Sequence, residues 1–204
     1  RILKINNLSD AYIRLTLSRG VSEPRLISEL KSSATLVIIA RKFNPLSPSE
    51  YRKGWRATVV LTRQNQASPV SRLKSLNFLN NILARKEAKA KRVDEGILLN
   101  TLGDVTEAST SNIFLVKRGI VITPREESGL LPGITRGVVL DLATSLGLKA
   151  YQRKISLNEL MGADETFLTN SLIEVMPLVE IDGRRISRGK PGPVTQRIHQ
   201  AYQA

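Results

Sequence analysis

The chain has 204 residues, of which 41% are hydrophobic, and it contains no cysteine and one histidine, His199. This composition predicts a globular protein of one large domain or a domain with a fragment, and excludes a disulfide framework and thiolate or histidine-rich metal sites. The net charge is +13, no apolar run approaches the roughly 18 residues of a membrane-spanning helix, and no signal peptide is recognised, so we expect a cytoplasmic protein without a membrane partner.

Most of the positive charge lies in residues 52–92, where eleven basic side chains accompany one acid, Glu87. Such a patch can bind nucleic acid. Aromatic residues make up only 4% of the chain, which leaves no stacking platform for bases. We therefore favour a solvated helix face beside a site for an anionic substrate, with no nucleic-acid partner. A basic nucleic-acid-binding module stays as the alternative.

The first quarter of the chain predicts two strands and a linker. Residues 11–18 alternate loosely, and residues 34–40 form a β-branched run that predicts a buried strand. Residues 44–49 contain two prolines and two serines, which is typical of a connection. The predicted division has three parts: a small N-terminal domain at 1–48, a linker at 49–53 and a large domain at 54–204.

The rest of the chain alternates strands with helices. Strands are predicted at residues 55–62, 96–100, 112–116, 120–123, 149–155, 165–169, 175–181 and 184–186. Helices are predicted at residues 74–91, 132–146, 156–161 and 193–202. Pro132 and Gly147 suit the start and the end of the second helix, and Ser156 with Glu159 forms a capping box for the third. Strands dominate, so we predict a mixed α/β (α+β) fold.

Lys74 directly precedes an apolar run of helical period, formed by Leu76, Leu79, Ile82 and Leu83. A lysine in such a place is most often only a charge at a helix start. Three motifs later in the chain change this interpretation.

These motifs carry a carboxylate, a glycine-rich loop and a hydroxyl. Glu107 stands 33 residues after Lys74 in residues 103–112 (GDVTEASTSN), residues 129–136 (GLLPGITR) open a helix, and residues 167–171 (FLTNS) end in Ser171. A helix start presents unpaired N–H groups to an anion. An amine, a carboxylate, an anion site and a hydroxyl in this order suit a phosphorylated pyridine aldehyde.

At these four motifs the chain resembles the class IV, fold-type IV family of pyridoxal-phosphate enzymes, and the resemblance runs from about residue 11 to the end. The family includes branched-chain aminotransferases, D-amino-acid aminotransferases and aminodeoxychorismate lyases. The resemblance implies a barrel-like C-terminal domain with the remnant of a small N-terminal α/β domain. It also implies a pyridoxal 5′-phosphate cofactor, a small amino-acid or oxo-acid substrate and a homodimer.

Family members usually carry more N-terminal sequence, which supplies an arginine for the cofactor phosphate. We expect this chain to lack that segment. A second hypothesis is therefore a remnant that folds but holds no cofactor.

The resemblance also assigns roles to single residues. Lys74 matches the catalytic lysine that binds the cofactor covalently and then moves protons. Glu107 matches the carboxylate beside the pyridine nitrogen. The other implied cofactor-binding residues are Thr110, Ile134, Thr135 and Ser171.

The candidates on the substrate side are three residues near the start of the chain and Asn170. Tyr12 and Arg14 match a Tyr-x-Arg motif of branched-chain aminotransferases, and Arg19 matches an Arg-Gly motif of the lyases and the D-amino-acid enzymes. An arginine fork suits a substrate carboxylate. The alternative for these residues is surface charge on an edge strand.

The motifs around Lys74 and Ser171 favour one member of the family. Residues 74–77 (KSLN) and 169–171 (TNS) are similar to those of aminodeoxychorismate lyases. Leu76 and Phe78 stand where branched-chain enzymes usually have a glycine-rich segment and a tyrosine. We therefore expect a lyase that releases pyruvate from aminodeoxychorismate to give 4-aminobenzoate, in folate biosynthesis. The alternative, which the Tyr-x-Arg motif favours, is an aminotransferase that uses a branched-chain or D-amino acid and a 2-oxo acid.

Overall fold

The computed structural model describes residues 1–21 and 33–204. They form two compact units, Arg1–Pro45 and Leu46–Ala204. None of the helices in the described residues combines the length and the apolar character that a membrane span requires.

The first unit contains one short helix and one antiparallel pair of strands. These elements are α1 (Ile2–Ile5), β1 (Ala11–Ser18) and β2 (Thr35–Lys42). The predicted strand at 34–40 is confirmed, but its predicted burial is wrong. Within the described residues β2 pairs only with β1. Seven of the eight residues of β2 are exposed, including Ile38 and Ile39.

The second unit is a nine-stranded mixed sheet with helices around it. Its strands are β3 (Trp55–Gln64), β4 (Glu95–Asn100), β5 (Val105–Ala108), β6 (Asn112–Lys117), β7 (Ile120–Pro124), β8 (Ala150–Arg153), β9 (Glu165–Asn170), β10 (Glu174–Ile181) and β11 (Arg184–Arg185). Its helices are α2 (Pro48–Lys53), α3 (Leu79–Ala90), α4 (Ile134–Ser145), α5 (Leu157–Met161) and α6 (Pro193–Gln203), with 3-10 turns at Pro69–Arg72 and Glu126–Ser128.

The sheet curls upon itself. The strand order is β5-β4-β3-β10-β9-β6-β7-β8, with β11 beside β10. Strand β3 is parallel to β4 and β10, β7 is parallel to β8, and the other pairs are antiparallel. Strand β5 nevertheless contacts β6 and β7, which lie far along this order, so the sheet forms a half barrel. The predicted mixed α/β fold with a barrel-like domain is confirmed.

Alternating residues on the strands fill the two larger of three hydrophobic cores, because successive side chains point to opposite faces of a sheet. On β6, Ile113 and Leu115 belong to the core that also contains α5. Phe114 belongs to the core beneath α4 and α6 and stacks on Phe167 of β9, with ring centroids 4.8 Å apart. The half barrel is therefore packed on both faces.

Helix α3 begins later than the sequence predicts. Residues 73–78 are irregular, because short-range bonds replace the first helical turn. The amide of Ser75 donates to the carbonyl of Leu73 over 2.9 Å, and the amide of Asn77 donates to the Ser75 hydroxyl over 3.2 Å. Serine side chains commonly compete with the helix in this way. Lys74 thus lies in a loop that precedes the helix, and its predicted place in the helix is wrong.

The segment predicted as a linker, 49–53, is helical and belongs to α2. Ser47 is the N-cap, its amide donates to Glu50 over 2.7 Å, and Pro48 occupies the first turn, which is a capping box. The division into a small domain and a large domain remains a prediction.

Candidate active site

Glu107 lies in strand β5, all four residues of which are buried. Only 5% of Glu107 is exposed. Its Oε2 accepts the amide N–H of Leu131 over 3.0 Å, and its Oε1 accepts from Nε2 of Gln64 on β3 over 3.4 Å. The sequence predicted no strand at this position. The strand holds this carboxylate in a fixed position inside the half barrel.

Burial raises the pKa of Glu107 to about 8, although the Leu131 amide, the charge of Lys74 and the Asn81 side chain lower it. A desolvated carboxylate disfavours its charged form unless a cation is near. Glu107 is therefore mostly protonated near neutral pH in the protein alone, and a cationic partner placed against it would ionise it.

Asn112 at the start of β6 connects Glu107 to helix α4. Its Nδ2 donates to the carbonyl oxygen of Leu131 over 2.8 Å. A Cβ added at Gly133 would lie 2.3 Å from Oδ1 of Asn112, so only a glycine fits there. The loop before α4 is thus held at Leu131 by both Glu107 and Asn112.

The first backbone N–H groups of helix α4 are not capped by a side chain of the described residues. Its N-cap is Gly133, and no side chain caps it. In the described part of the chain, the amides of Ile134 and Thr135 have no acceptor. Ile134 is 88% exposed, whereas Thr135 is buried. Unpaired N–H groups and the positive end of the helix dipole favour an anion at this position.

Lys74 lies in the loop between the 3-10 turn Pro69–Arg72 and α3 and is exposed. It makes no hydrogen bond or ion pair with the residues that the structure describes, but its charge acts on Glu107. Asn81, in the first turn of α3, donates from Nδ2 to the carbonyl oxygen of Ser109 over 3.1 Å. The end of the lysine loop is therefore fixed next to the strand that carries Glu107.

Ser171 lies in the turn between β9 and β10 and is exposed. Thr169, two residues earlier, pairs with Asn112 across β9 and β6. The turn with Ser171 therefore continues from the same corner of the sheet as the loop before α4. Asn170 donates from Nδ2 to the carbonyl of Thr110 over 3.0 Å, so this amide holds the backbone, and its substrate role stays a prediction.

The turn between Glu107 and Asn112 is fixed by Glu95, a buried residue that the sequence analysis missed. Its carboxylate accepts from the hydroxyls of Ser109 and Thr110, the latter over 2.7 Å, and pairs with Arg85 over 3.3 Å. The three consecutive hydroxyl residues at 109–111 are the sequence pattern that could have indicated a buried carboxylate partner. The Thr110 hydroxyl is thus occupied within the protein, and its predicted cofactor role stays a prediction.

The remaining substrate candidates belong to the first unit. Tyr12 and Arg14 lie two residues apart on β1, opposite Arg41 and Ile39 of β2, and therefore share one face of the strand. Arg19 follows the strand and is exposed. Their predicted contact with substrate stays a prediction.

The two acidic residues at the start of β9, Asp164 and Glu165, stabilise the fold. Glu165 accepts the amide of Thr195 over 2.7 Å and so caps α6, and Asp164 pairs with Lys117 over 3.0 Å. Among the described residues, no group of three or more His, Cys, Asp and Glu side chains could hold a metal ion.

The sequence and the fold both match one family of known proteins. The family model described as Amino-transferase class IV matches residues 1–181. A Methanocaldococcus jannaschii protein, provisionally named a branched-chain-amino-acid aminotransferase, is 38% identical over 201 residues, which are 98% of this chain and 69% of that protein.

Solved structures also match the fold of this chain. The branched-chain amino acid aminotransferase of Escherichia coli has a TM-score of 0.92 and 31% identity, over 99% of this chain and 67% of that one. A Legionella pneumophila protein, provisionally named 4-amino-4-deoxychorismate lyase, has a TM-score of 0.89 and 25% identity, over 98% of this chain and 72% of that one. This chain thus spans about two thirds of the length of these relatives. It belongs to the class IV aminotransferases, and it is an enzyme of this pyridoxal-phosphate-dependent family of aminotransferases and lyases.

Proposed function

We propose that this chain is a pyridoxal-phosphate-dependent aminotransferase that exchanges the amino group of a branched-chain amino acid with a 2-oxo acid. The observation that carries the proposal is the buried carboxylate of Glu107, held by Leu131 and acted on by the charge of Lys74. This carboxylate and this amine are the two groups that the family uses on either side of the cofactor ring.

The residues present fit the cofactor. Glu107 is desolvated, so a protonated ring nitrogen would supply the cation that its ionised form lacks. The uncapped start of α4 suits a phosphate. The buried hydroxyls of Ser128 and Thr169 have no hydrogen-bond partner in the described residues, and buried polar atoms seldom stay unpaired. Bound pyridoxal 5′-phosphate would offer a cation to the Glu107 carboxylate and an acceptor to the open amides at the start of α4.

When bound, pyridoxal 5′-phosphate supplies an electron sink that stabilises negative charge at the substrate α-carbon. In this proposal the Lys74 amine holds the cofactor covalently and then carries the α-proton. Glu107 keeps the proton on the ring nitrogen. The amides of Ile134 and Thr135 and the hydroxyl of Ser171 hold the phosphate.

The proposed reaction, transamination, differs from the lyase reaction that the sequence motifs predicted. The motifs around Lys74 and Ser171 favoured aminodeoxychorismate lyase. Over nearly the whole chain, however, the relatives named as branched-chain aminotransferases are more similar in sequence than the protein provisionally named as a lyase. Whole-chain similarity weighs more than two short motifs, so transamination is the function proposed and lyase activity is the competing one.

On the substrate side, we propose that Tyr12 and Arg14 receive the substrate carboxylate and that Arg19 and Asn170 assist. The roles of Tyr12, Arg14 and Arg19 rest on the motifs in the first unit, and the role of Asn170 rests on the motif that ends in Ser171. A homodimer with pyridoxal phosphate in each copy completes the proposal.

One experiment separates the two reactions. The purified protein is incubated with pyridoxal 5′-phosphate and either L-leucine with 2-oxoglutarate or aminodeoxychorismate. The proposal expects glutamate from the first mixture and no 4-aminobenzoate from the second. Production of 4-aminobenzoate without transamination would contradict it.

A further inference from the structure

Glu174, the first residue of β10, has an unusual backbone conformation. Its φ is +52°, in the left-handed region that side chains other than glycine adopt at an energetic cost. It directly follows the turn of residues 171–173. Such a conformation persists only where other contacts stabilise it.

The Glu174 carboxylate is held by helix α6. Its Oε2 bonds with Nε2 of His199 over 2.8 Å and accepts from Nε2 of Gln203 over 2.9 Å. The His199 ring packs on the ring of Tyr51 in α2, with centroids 4.2 Å apart. These four residues form the Glu174 cluster. The side chain of His199 is only 14% exposed, because α2 and β10 cover it.

Burial raises the pKa of the Tyr51 phenol, and the charge of Glu174 and a hydrogen bond with it add to the effect. Tyr51 therefore stays neutral, and its hydroxyl can donate a hydrogen bond to Glu174. Three side chains from two helices thus converge on one carboxylate at the end of the turn.

The other end of the turn is also fixed. Oδ1 of Asn170 accepts the amides of Leu172 and Ile173 over 2.8 and 2.9 Å. Ser171 is the residue between these contacts and has an exposed side chain. Its backbone is consequently held by Asn170 before it and by the Glu174 cluster after it.

We propose that the Glu174 cluster positions Ser171 to bind the phosphate of the cofactor. The inference rests on the proposed function, in which Ser171 is a phosphate ligand. Glu174, His199 and Tyr51 are positioning residues, since they act through the backbone of the turn. Loss of the His199 contact lets the turn relax from its strained conformation and moves the Ser171 hydroxyl away from the phosphate.

The test compares the affinity for pyridoxal 5′-phosphate with the affinity for pyridoxal, which has no phosphate. His199→Leu should weaken the binding of the phosphorylated ligand about tenfold, the scale of one hydrogen bond to a charged group, and leave pyridoxal binding unchanged. His199→Gln, whose amide nitrogen can reach Glu174, should restore the affinity. The matched control is Arg197→Leu, since Arg197 lies on α6 but donates to the Leu146 carbonyl instead.

A double-mutant cycle completes the test. Ser171→Ala should lose the same phosphate-dependent affinity, and adding His199→Leu to it should cost nothing more. Additive losses, equal losses for both ligands, or an equal effect of Arg197→Leu would overturn the inference. If Ser171→Ala leaves the phosphate preference intact while the wild type binds, Ser171 is not a phosphate ligand and the inference falls alone. If the wild type binds neither ligand, the proposed function falls with it.

Discussion

The amide N–H of Leu131 donates to Oε2 of Glu107 over 3.0 Å, and the carbonyl of the same residue accepts from Asn112 over 2.8 Å. One residue thus joins the buried carboxylate of β5 to the loop that opens α4. These two hydrogen bonds couple the position of Glu107 to the start of the helix. The positions proposed for the ring nitrogen and for the phosphate are therefore set together.

Replacing Glu107 by glutamine should slow the reaction without displacing the loop. The amide keeps the size of the side chain but cannot hold a proton on the ring nitrogen. We expect the single-turnover rate of amino-group transfer to fall by about 10²-fold or more, at about 1.36 kcal/mol per decade. Glu127→Gln is the control, because Glu127 is exposed and pairs only with Arg125 over 3.7 Å among the described residues. An unchanged rate in Glu107→Gln would remove the role assigned to this residue.

The stability of the cofactor-free protein should depend on pH through Glu107. Its pKa is raised from 4.5 to about 8 in the folded protein, so the folded state keeps a proton that the unfolded chain releases. The free energy of unfolding should therefore fall as the pH rises from about 5 to about 8, by a few kcal/mol at about 1.36 kcal/mol per pKa unit. Urea titrations across this range measure it.

Glu107→Gln supplies the comparison, since its amide does not titrate. The difference in stability between the wild type and this variant should shift in favour of the variant as the pH rises. Parallel pH profiles of the two proteins would show that Glu107 is not desolvated as described.

Two glycines of the same region should respond in opposite ways to alanine. A Cβ at Gly133 meets Oδ1 of Asn112 at 2.3 Å, whereas a Cβ at Gly137, inside α4, meets no atom within 4 Å. Gly133→Ala should cost about 1–3 kcal/mol of stability through overpacking and weaken cofactor binding. Gly137→Ala should gain about 0.5–1 kcal/mol, because alanine favours a helix interior. Denaturant unfolding measures both, and equal effects would show that Asn112 does not approach Gly133.

Long apolar or alternating segments of the sequence predicted their structure well. The strands at β3, β4, β6, β9 and β10 carry runs that give a clear period, and Ser156 does accept the amide of Glu159 at the start of α5. Strand β5 was missed because VTEA has four residues and no apolar period. It is a strand only because β4 pairs with it.

Candidate site residues could be proposed where a motif is local, and contacts between residues distant in sequence could not be predicted. Lys74, Glu107 and the loop before α4 were proposed from short motifs, and their roles stay predictions. The contacts of Glu95 were missed because its partners come 14 to 16 residues later. The contact between Glu174 and His199 spans 25 residues, and only the packing of α6 on β10 creates it.

The central claim is that Lys74 holds the cofactor. The measurement is reduction of the protein with borohydride in the presence of pyridoxal 5′-phosphate, followed by mass spectrometry of its peptides. We predict one modified lysine, Lys74, no modification in Lys74→Ala, and an unchanged result in Lys86→Ala, which removes another exposed lysine. A reduced adduct on a different lysine in the wild type, or an adduct that persists in Lys74→Ala, would contradict the account.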